Sequence, residues 1–282
     1  MAENHSKIGP HWRIPWRNGE PDAIRIHCRY DVLKRTFRTG VRQAARGQEK
    51  YLAAKRNNDQ AAAAELVEAY INRAVVEEMV DAVLAVNRPA RVVFPFPEFD
   101  ADEPAKEPMN VTNAIPFAVA AFIAEELGGT IETEIVECAR PGRTKLNRFQ
   151  RFAWQPRFSG AVDPDVAYIL VDDNCTLGGT LAMLRTHIVG NGGTVAYVTA
   201  LSTPDGRDCR FSIADATVNM LISRYTSQIS PFWIEEIGHD ITCLTESEGQ
   251  FVAGWDPERK GDAASLLQRL RDRIAKAKAK GK

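Results

Sequence analysis

The stretch Tyr168-Ile-Leu-Val-Asp-Asp-Asn-Cys-Thr-Leu-Gly-Gly-Thr180 decides the fold. An apolar run this short, with no polar alternation, reads as a strand covered on both faces. It ends in two adjacent carboxylates, Asp172 and Asp173, and a short bridge leads to Gly178-Gly179-Thr180, which opens a helix. Working outward, Val166 to Val171 is the strand and Thr180 to Val189 the helix. Gly190-Asn-Gly-Gly193 is a helix stop and turn, and Thr194 to Ala200 is a second buried strand. Strand, helix and strand at this spacing form a parallel crossover unit, which predicts an α/β fold.

The loop after such a strand lies where ligands bind in open parallel sheets, beyond the carboxyl ends of the strands. Glycines let backbone N–H groups approach an anion, and a helix N-terminus adds partial positive charge. Thr176 and Thr180 add hydroxyl donors. The combination reads as a phosphate cradle beside two acceptors able to grip vicinal hydroxyls, the requirements of a ribose 5-phosphate site. As a bare pair, Asp172 and Asp173 are equally a turn or helix cap; the Thr-x-Gly-Gly-Thr that follows favours a ligand. No Gly-x4-Gly-Lys-Ser/Thr occurs, which argues against a P-loop nucleotidase. Gly190 to Gly193 lies between a helix and the next strand, the wrong context for a dinucleotide fingerprint.

The chain has 282 residues, with 36 Lys plus Arg against 37 Asp plus Glu and 44% hydrophobic residues. That is an ordinary globular composition, neither a basic nucleic-acid coat nor an acidic disordered chain. No apolar run approaches membrane-helix length, and Met1 to Pro10 is polar, without the apolar stretch of a signal peptide. Cys28, Cys138, Cys175, Cys209 and Cys243 form no CxxC pair and no zinc-like cluster, so a reduced, cytoplasmic setting is expected.

Charge is uneven along the chain. Residues 1–46 hold ten Lys/Arg against four acids, and Arg269 to Lys282 holds seven basic residues and one acid. Asp31 to Val86 has helical spacing up to Asn87-Arg88-Pro89, so residues 1–88 are expected to be a basic, mainly helical N-terminal extension. Residues 89–205 form the α/β core, with a strand from Arg91 to Phe94, an acidic loop from Pro95 to Asn110, a helix from Ile115 to Leu127 closed by Gly128, and strand-like alternation from Thr130 to Cys138. Arg140 to Arg157 is basic and bears Gly and Pro. Residues 206–282 are a C-terminal segment with a basic tail, whose aromatics Phe232, Trp233 and Trp255 either pack or form a hood over a substrate. His11, Trp12, Trp16, His27, Phe152, Trp154 and Phe158 are expected to pack rather than to catalyse.

Residues 168–180 resemble the phosphoribosyl diphosphate (PRPP) signature of type I phosphoribosyltransferases: four apolar residues, an acidic pair, two variable positions and Thr-x-Gly-Gly-Thr. The resemblance extends more weakly over residues 90–205. The Pro95-Phe-Pro97 turn, Asn113 and the helix ending Leu127-Gly128-Gly129 are similar to the ComF-like branch.

The resemblance implies a PRPP-dependent transferase in which a nucleobase or amine displaces pyrophosphate with magnesium (Mg2+) assistance. Asp172 and Asp173 would hold the ribose hydroxyls and the metal, directly or through water. Cys175, Thr176, Leu177, Gly178, Gly179 and Thr180 would wrap the 5-phosphate. The loop from Pro95 would face pyrophosphate, and Arg140, Arg143 and Lys145 would lie in a flap closing over the site. The chain departs from the family at two points. Phe94 to Glu103 has four acids and no basic residue, with Lys106 the nearest, and Leu177 stands where a small hydroxyl residue is frequent. The acidic loop motivates a second reading, a PRPP- or nucleotide-binding regulatory protein without turnover. The basic termini motivate a third, a nucleic-acid-associated protein. A homodimer paired through the N-terminal helices is expected, and no membrane partner.

Overall fold

The protein is described by a computed structural model over residues 13–34, 41–97, 113–138, 146–255 and 263–279. Along the chain come β1 (Ala23–Arg29), α1 (Tyr30–Lys34), α2 (Val41–Arg56), α3 (Gln60–Tyr70) and α4 (Arg73–Val86). Then follow β2 (Ala90–Val93), β3 (Phe96–Pro97), α5 (Ile115–Leu127), β4 (Thr130–Ile131), β5 (Val136–Cys138), α6 (Arg148–Ala153) and β6 (Arg157–Ser159). The remainder is β7 (Ala167–Asn174), α7 (Gly179–Gly190), β8 (Thr194–Thr203), β9 (Cys209–Arg210), α8 (Asp215–Tyr225), α9 (Ile229–Ile237), α10 (Glu246–Gly254) and α11 (Ala263–Ala279).

The expected α/β architecture is present. A six-stranded sheet has the order β4-β2-β7-β8-β1-β9, parallel except for the edge strand β9. Ala167 to Val171 are all buried at its centre, as an apolar run without alternation requires. Their side chains alternate between two layers. Ile169 and Val171 join the α5 residues Val119 and Ile123, while Tyr168 and Leu170 join Leu181, Leu184 and Ile188 of α7. Each such buried aliphatic side chain stabilises the fold by about 1.5–3 kcal/mol.

The structure differs from the sequence reading in three places. Ala23–Arg29, expected within a helical extension, is a strand paired in parallel with β8, Arg25 opposite Thr199 and Cys28 opposite Ser202. Thr130 to Cys138 is two short strands, β4 on the main sheet and β5 in a second sheet of order β3-β5-β6. The first strand of the core runs from Ala90 to Val93. The C-terminal helices have a core of their own around Trp233, Tyr225 and Leu270, joined by Phe149 and Phe152 of α6. Trp154 donates its indole N–H to the Ala277 carbonyl at 3.3 Å, and Trp255 packs edge-on to Phe149, so these aromatics pack. Among the described residues, no helix is long and apolar enough to cross a membrane.

Two histidines are buried and neutral. His27 Nδ1 accepts the Asn72 N–H at 3.0 Å, leaving Nε2–H to donate to Thr199 Oγ1 at 3.0 Å. His239 Nδ1–H donates to the Asp240 carbonyl at 2.8 Å, and Nε2 accepts from Gln155. Burial pushes both down to about 4, with the Arg13 charge adding to the effect at His239. Each native pKa lies below its unfolded value, so as pH falls from about 6.5 to 4 the unfolded chain gains protons that the native state refuses. Each histidine therefore removes up to roughly 3 kcal/mol of stability over that window. Urea unfolding between pH 7 and 4.5 should show a shallower loss of stability in His27→Gln and in His239→Gln than in the parent. An identical slope would mean that neither ring is held neutral.

Candidate functional site

The site grows out of the end of β7. Asp172 pairs in register with Ala200 and Asn174 with Ser202, after which the chain leaves the sheet. The Cys175 N–H still donates to the Ser202 carbonyl at 2.8 Å. The turn into α7 is made at Gly178, whose φ of +76° is a region L side chains rarely adopt. Gly178 caps the helix without a side-chain acceptor. Among the described residues, the N–H groups of Gly179, Thr180 and Leu181 have no acceptor, so the first turn presents them with the positive end of the helix dipole. Asp172, Asn174, Cys175, Thr176, Leu177, Gly178, Gly179 and Thr180 line one pocket, together with Arg151 and Glu248.

The back wall of this pocket is ionic. A Cβ on Gly179 would lie 2.5 Å from Glu248 Oε1 and 3.1 Å from Arg13 Nη2, so only glycine fits against the pair. Arg13 donates to both Glu248 oxygens, at 2.5 and 2.9 Å, and through Nε to Gln155 at 3.0 Å. Burial would raise the Glu248 carboxyl, but the Arg13 charge and hydrogen bonds hold it below its ordinary value. Leu177 explains its own departure from the family pattern. Its side chain is buried in the C-terminal helical core, and its carbonyl accepts the Thr245 hydroxyl at 2.5 Å. A hydroxyl residue there would give up that apolar anchor. Cys175 lies inward, and its contact with Cys209, then burial, raises its thiol well above the ordinary range. With its N–H already given to the Ser202 carbonyl, Cys175 offers a phosphate neither its sulfur nor its amide.

The two carboxylates are not equivalent. Asp173 Oδ2 takes the Lys55 ammonium of α2 and the Asn113 amide at 3.0 Å. Against the burial that would raise it, the Lys55 charge holds Asp173 ionised. Asp172 Oδ1 accepts the Asp173 N–H at 2.8 Å. Burial first, and the neighbouring Asp173 charge second, push the Asp172 carboxyl up. Among the described residues no three His, Cys, Asp or Glu side chains converge on a metal position. A magnesium ion here would have Asp172 and Asp173 as its protein ligands and would need substrate oxygens and water for the rest of its shell.

Arg140, Arg143 and Lys145 of the expected flap lie outside the described residues, as do residues 98–112 of the expected pyrophosphate loop, with Lys106, and also His11 and Trp12. Sequence reasoning missed Lys55, Arg151 and the Arg13–Glu248 pair. Only Arg151 carried a signal, its place in the basic segment from Arg140 to Arg157. The basic C-terminal helix spends charge within the chain, Arg271 on Glu235 and Glu236 and Lys278 on Glu236.

No family model matches the chain. It is 32% identical over 166 residues to protein TraN of Escherichia coli, a match covering 59% of this chain and 35% of TraN. It is 35% identical over 77 residues to an uncharacterized protein of Haemophilus influenzae, covering 27% of this chain and 17% of that protein. The chain thus spans about a third or less of these relatives. Among solved structures it is similar to a hypoxanthine-guanine phosphoribosyltransferase from Bacillus anthracis, with 16% identity, 47% of this chain, 70% of that one and a TM-score of 0.28. An adenine phosphoribosyltransferase from Leishmania donovani matches at 15% identity over 71% of this chain and 76% of that one, with the same TM-score of 0.28. Overlap at that level carries no argument about this chain.

Removing one member of a buried ion pair strands the other, at a cost of about 3–5 kcal/mol. Arg13→Met should lower the unfolding free energy by that amount, and Glu248→Met added to it should restore most of the loss. A single variant within about 0.5 kcal/mol of the parent in urea unfolding would remove the pair from behind Gly179.

Proposed function

We propose that the chain binds PRPP and uses it as a phosphoribosyl donor. One observation carries this reading: two carboxylates at the carboxyl end of β7 stand directly before uncapped amides of α7 that the left-handed Gly178 turn exposes. The amides of residues 179–181 and the hydroxyls of Thr176 and Thr180 would bind the 5-phosphate, and Asp172 and Asp173 the ribose hydroxyls. A magnesium ion bound with the substrate would neutralise the leaving pyrophosphate, held by Asp172 and Asp173 directly or through water. The nucleophile, a base nitrogen or an amine, attacks the anomeric carbon as pyrophosphate leaves, and charge develops on the ring as an oxocarbenium ion. The Asp173 carboxylate, kept ionised by Lys55, is suited to stabilise that positive charge.

A second reading is favoured by the Lys55 contact. The ammonium of Lys55 and the amide of Asn113 occupy the Asp173 oxygen that a ribose hydroxyl would take. A protein built for binding without turnover would tolerate that arrangement, and the cradle would then serve as a sensor for PRPP or a nucleotide.

Calorimetry with PRPP and Mg2+ should give a clear binding heat in the parent and a loss of at least about 100-fold in affinity in Asp172→Ala/Asp173→Ala, the scale expected for removing two charged contacts. Absence of any heat or thermal shift in the parent contradicts PRPP binding. Pyrophosphate release with a panel of bases and amines separates the two readings: release supports the transferase, and binding without release supports the sensor.

A further inference from the structure

Arg151 sits on the rim of the cradle, on a helix that neither the strand nor the phosphate loop contributes. It lines the same pocket as Thr176, Gly179 and Thr180. Its Nε–H donates to the Leu146 carbonyl at 3.3 Å, which steadies the side chain from behind. Its two Nη groups have no hydrogen-bond or ion-pair partner among the described residues. The neighbouring arginines are engaged differently. Arg148 lies 5.0 Å over the Phe251 ring and Arg273 5.3 Å over that of Phe149.

Charge around the pocket makes the position of Arg151 decisive. Glu248 is matched by Arg13 and Asp173 by Lys55, so two of the three carboxylates at the site already have cations. Those cations are committed: Arg13 is buried behind Gly179 with every nitrogen bonded, and Lys55 reaches Asp173 from the opposite side of the sheet end. Among the described residues other than Arg151, a phosphate dianion entering the cradle meets only the half-charge of the helix N-terminus, with the Asp172 carboxyl in the same pocket. Backbone amides alone position a phosphate without matching its charge. A guanidinium whose terminal nitrogens have no partner among the described residues supplies the match, and its planar fork can engage two phosphate oxygens together.

We propose that Arg151 is the cationic partner of the substrate's 5-phosphate, and therefore the residue that selects a phosphorylated ribose over a free one. The assignment rests on the cradle binding a ribose 5-phosphate moiety, as argued under the proposed function, and adds to it a residue that the signature loop does not contain.

The test is calorimetric titration of the parent, Arg151→Gln and Arg151→Lys with ribose 5-phosphate and with ribose, at low and at moderate salt. The parent should prefer ribose 5-phosphate. Arg151→Gln should bind it about 10- to 100-fold more weakly, the effect of losing a charge-assisted hydrogen bond, with a flatter salt dependence and an unchanged melting temperature. Arg151→Lys should recover part of the affinity as a point charge without the fork. A parent that binds ribose 5-phosphate, with an Arg151→Gln variant within about twofold of it and equally salt-dependent, overturns the role of Arg151 and leaves the cradle standing. A parent that binds no ribose 5-phosphate overturns both. A variant that melts early while keeping the salt dependence of the parent assigns Arg151 to structure and also overturns the proposal.

Discussion

Behind Gly179, the guanidinium of Arg13 and the carboxylate of Glu248 meet where a single added methyl group would collide with them. The two residues are 235 positions apart, and their contact closes the chain around the loop proposed to cradle a phosphate. The N-terminal segment that carries Arg13 is tied down a second time, where buried Arg185 of α7 binds the Ile14 and Pro15 carbonyls and Glu20. The segment that carries Glu248 is tied by Thr245 to the Leu177 carbonyl and by the Leu177 side chain to the C-terminal core. The cradle is thus held from behind by both ends of the chain. A buried pair of this kind adds little net stability over apolar residues, yet breaking it is costly, so it fixes geometry more than it adds free energy.

The same logic governs charge. The strand β7 delivers two carboxylates beside the positive end of a helix, and in the proposed reading an anion must enter there, which is electrostatically adverse unless the carboxylates are compensated. Asp173 is compensated by Lys55 from α2 and Glu248 by Arg13, and Asp172 is pushed towards its neutral form by burial. Helix α2 thereby reaches the site through Lys55, so the N-terminal region contributes to the candidate site as well as to the sheet.

Local features of the site were legible in the sequence, and its closure was not. The buried strand, the Gly-Gly turn and the following helix are short-range consequences of apolar runs and glycine conformations, and β7, Gly178 and α7 stand where the pattern puts them. Strand β1 was hidden because Arg25, His27 and Arg29 made its segment look like part of a basic helical arm. The alternation of Ile24, Ile26 and Cys28 was there to read, and pairing with β8 is what settles it. The Lys55–Asp173 contact spans 118 residues and the Arg13–Glu248 contact 235, and no local spacing rule reaches either. Leu177 shows how the two levels meet. It departs from the pattern the loop resembles, and its side chain anchors a distant helical core there.

The central claim is that the first turn of α7 is an anion cradle, and amide NMR reads it directly. Titrating the protein with ribose 5-phosphate should move the N–H resonances of Gly179, Thr180 and Leu181 downfield together, as hydrogen bonds to phosphate oxygens form, while the amides of α11 stay fixed. Shifts confined to α11 or elsewhere on the surface, with the three α7 resonances unmoved at saturating ligand, would contradict the account.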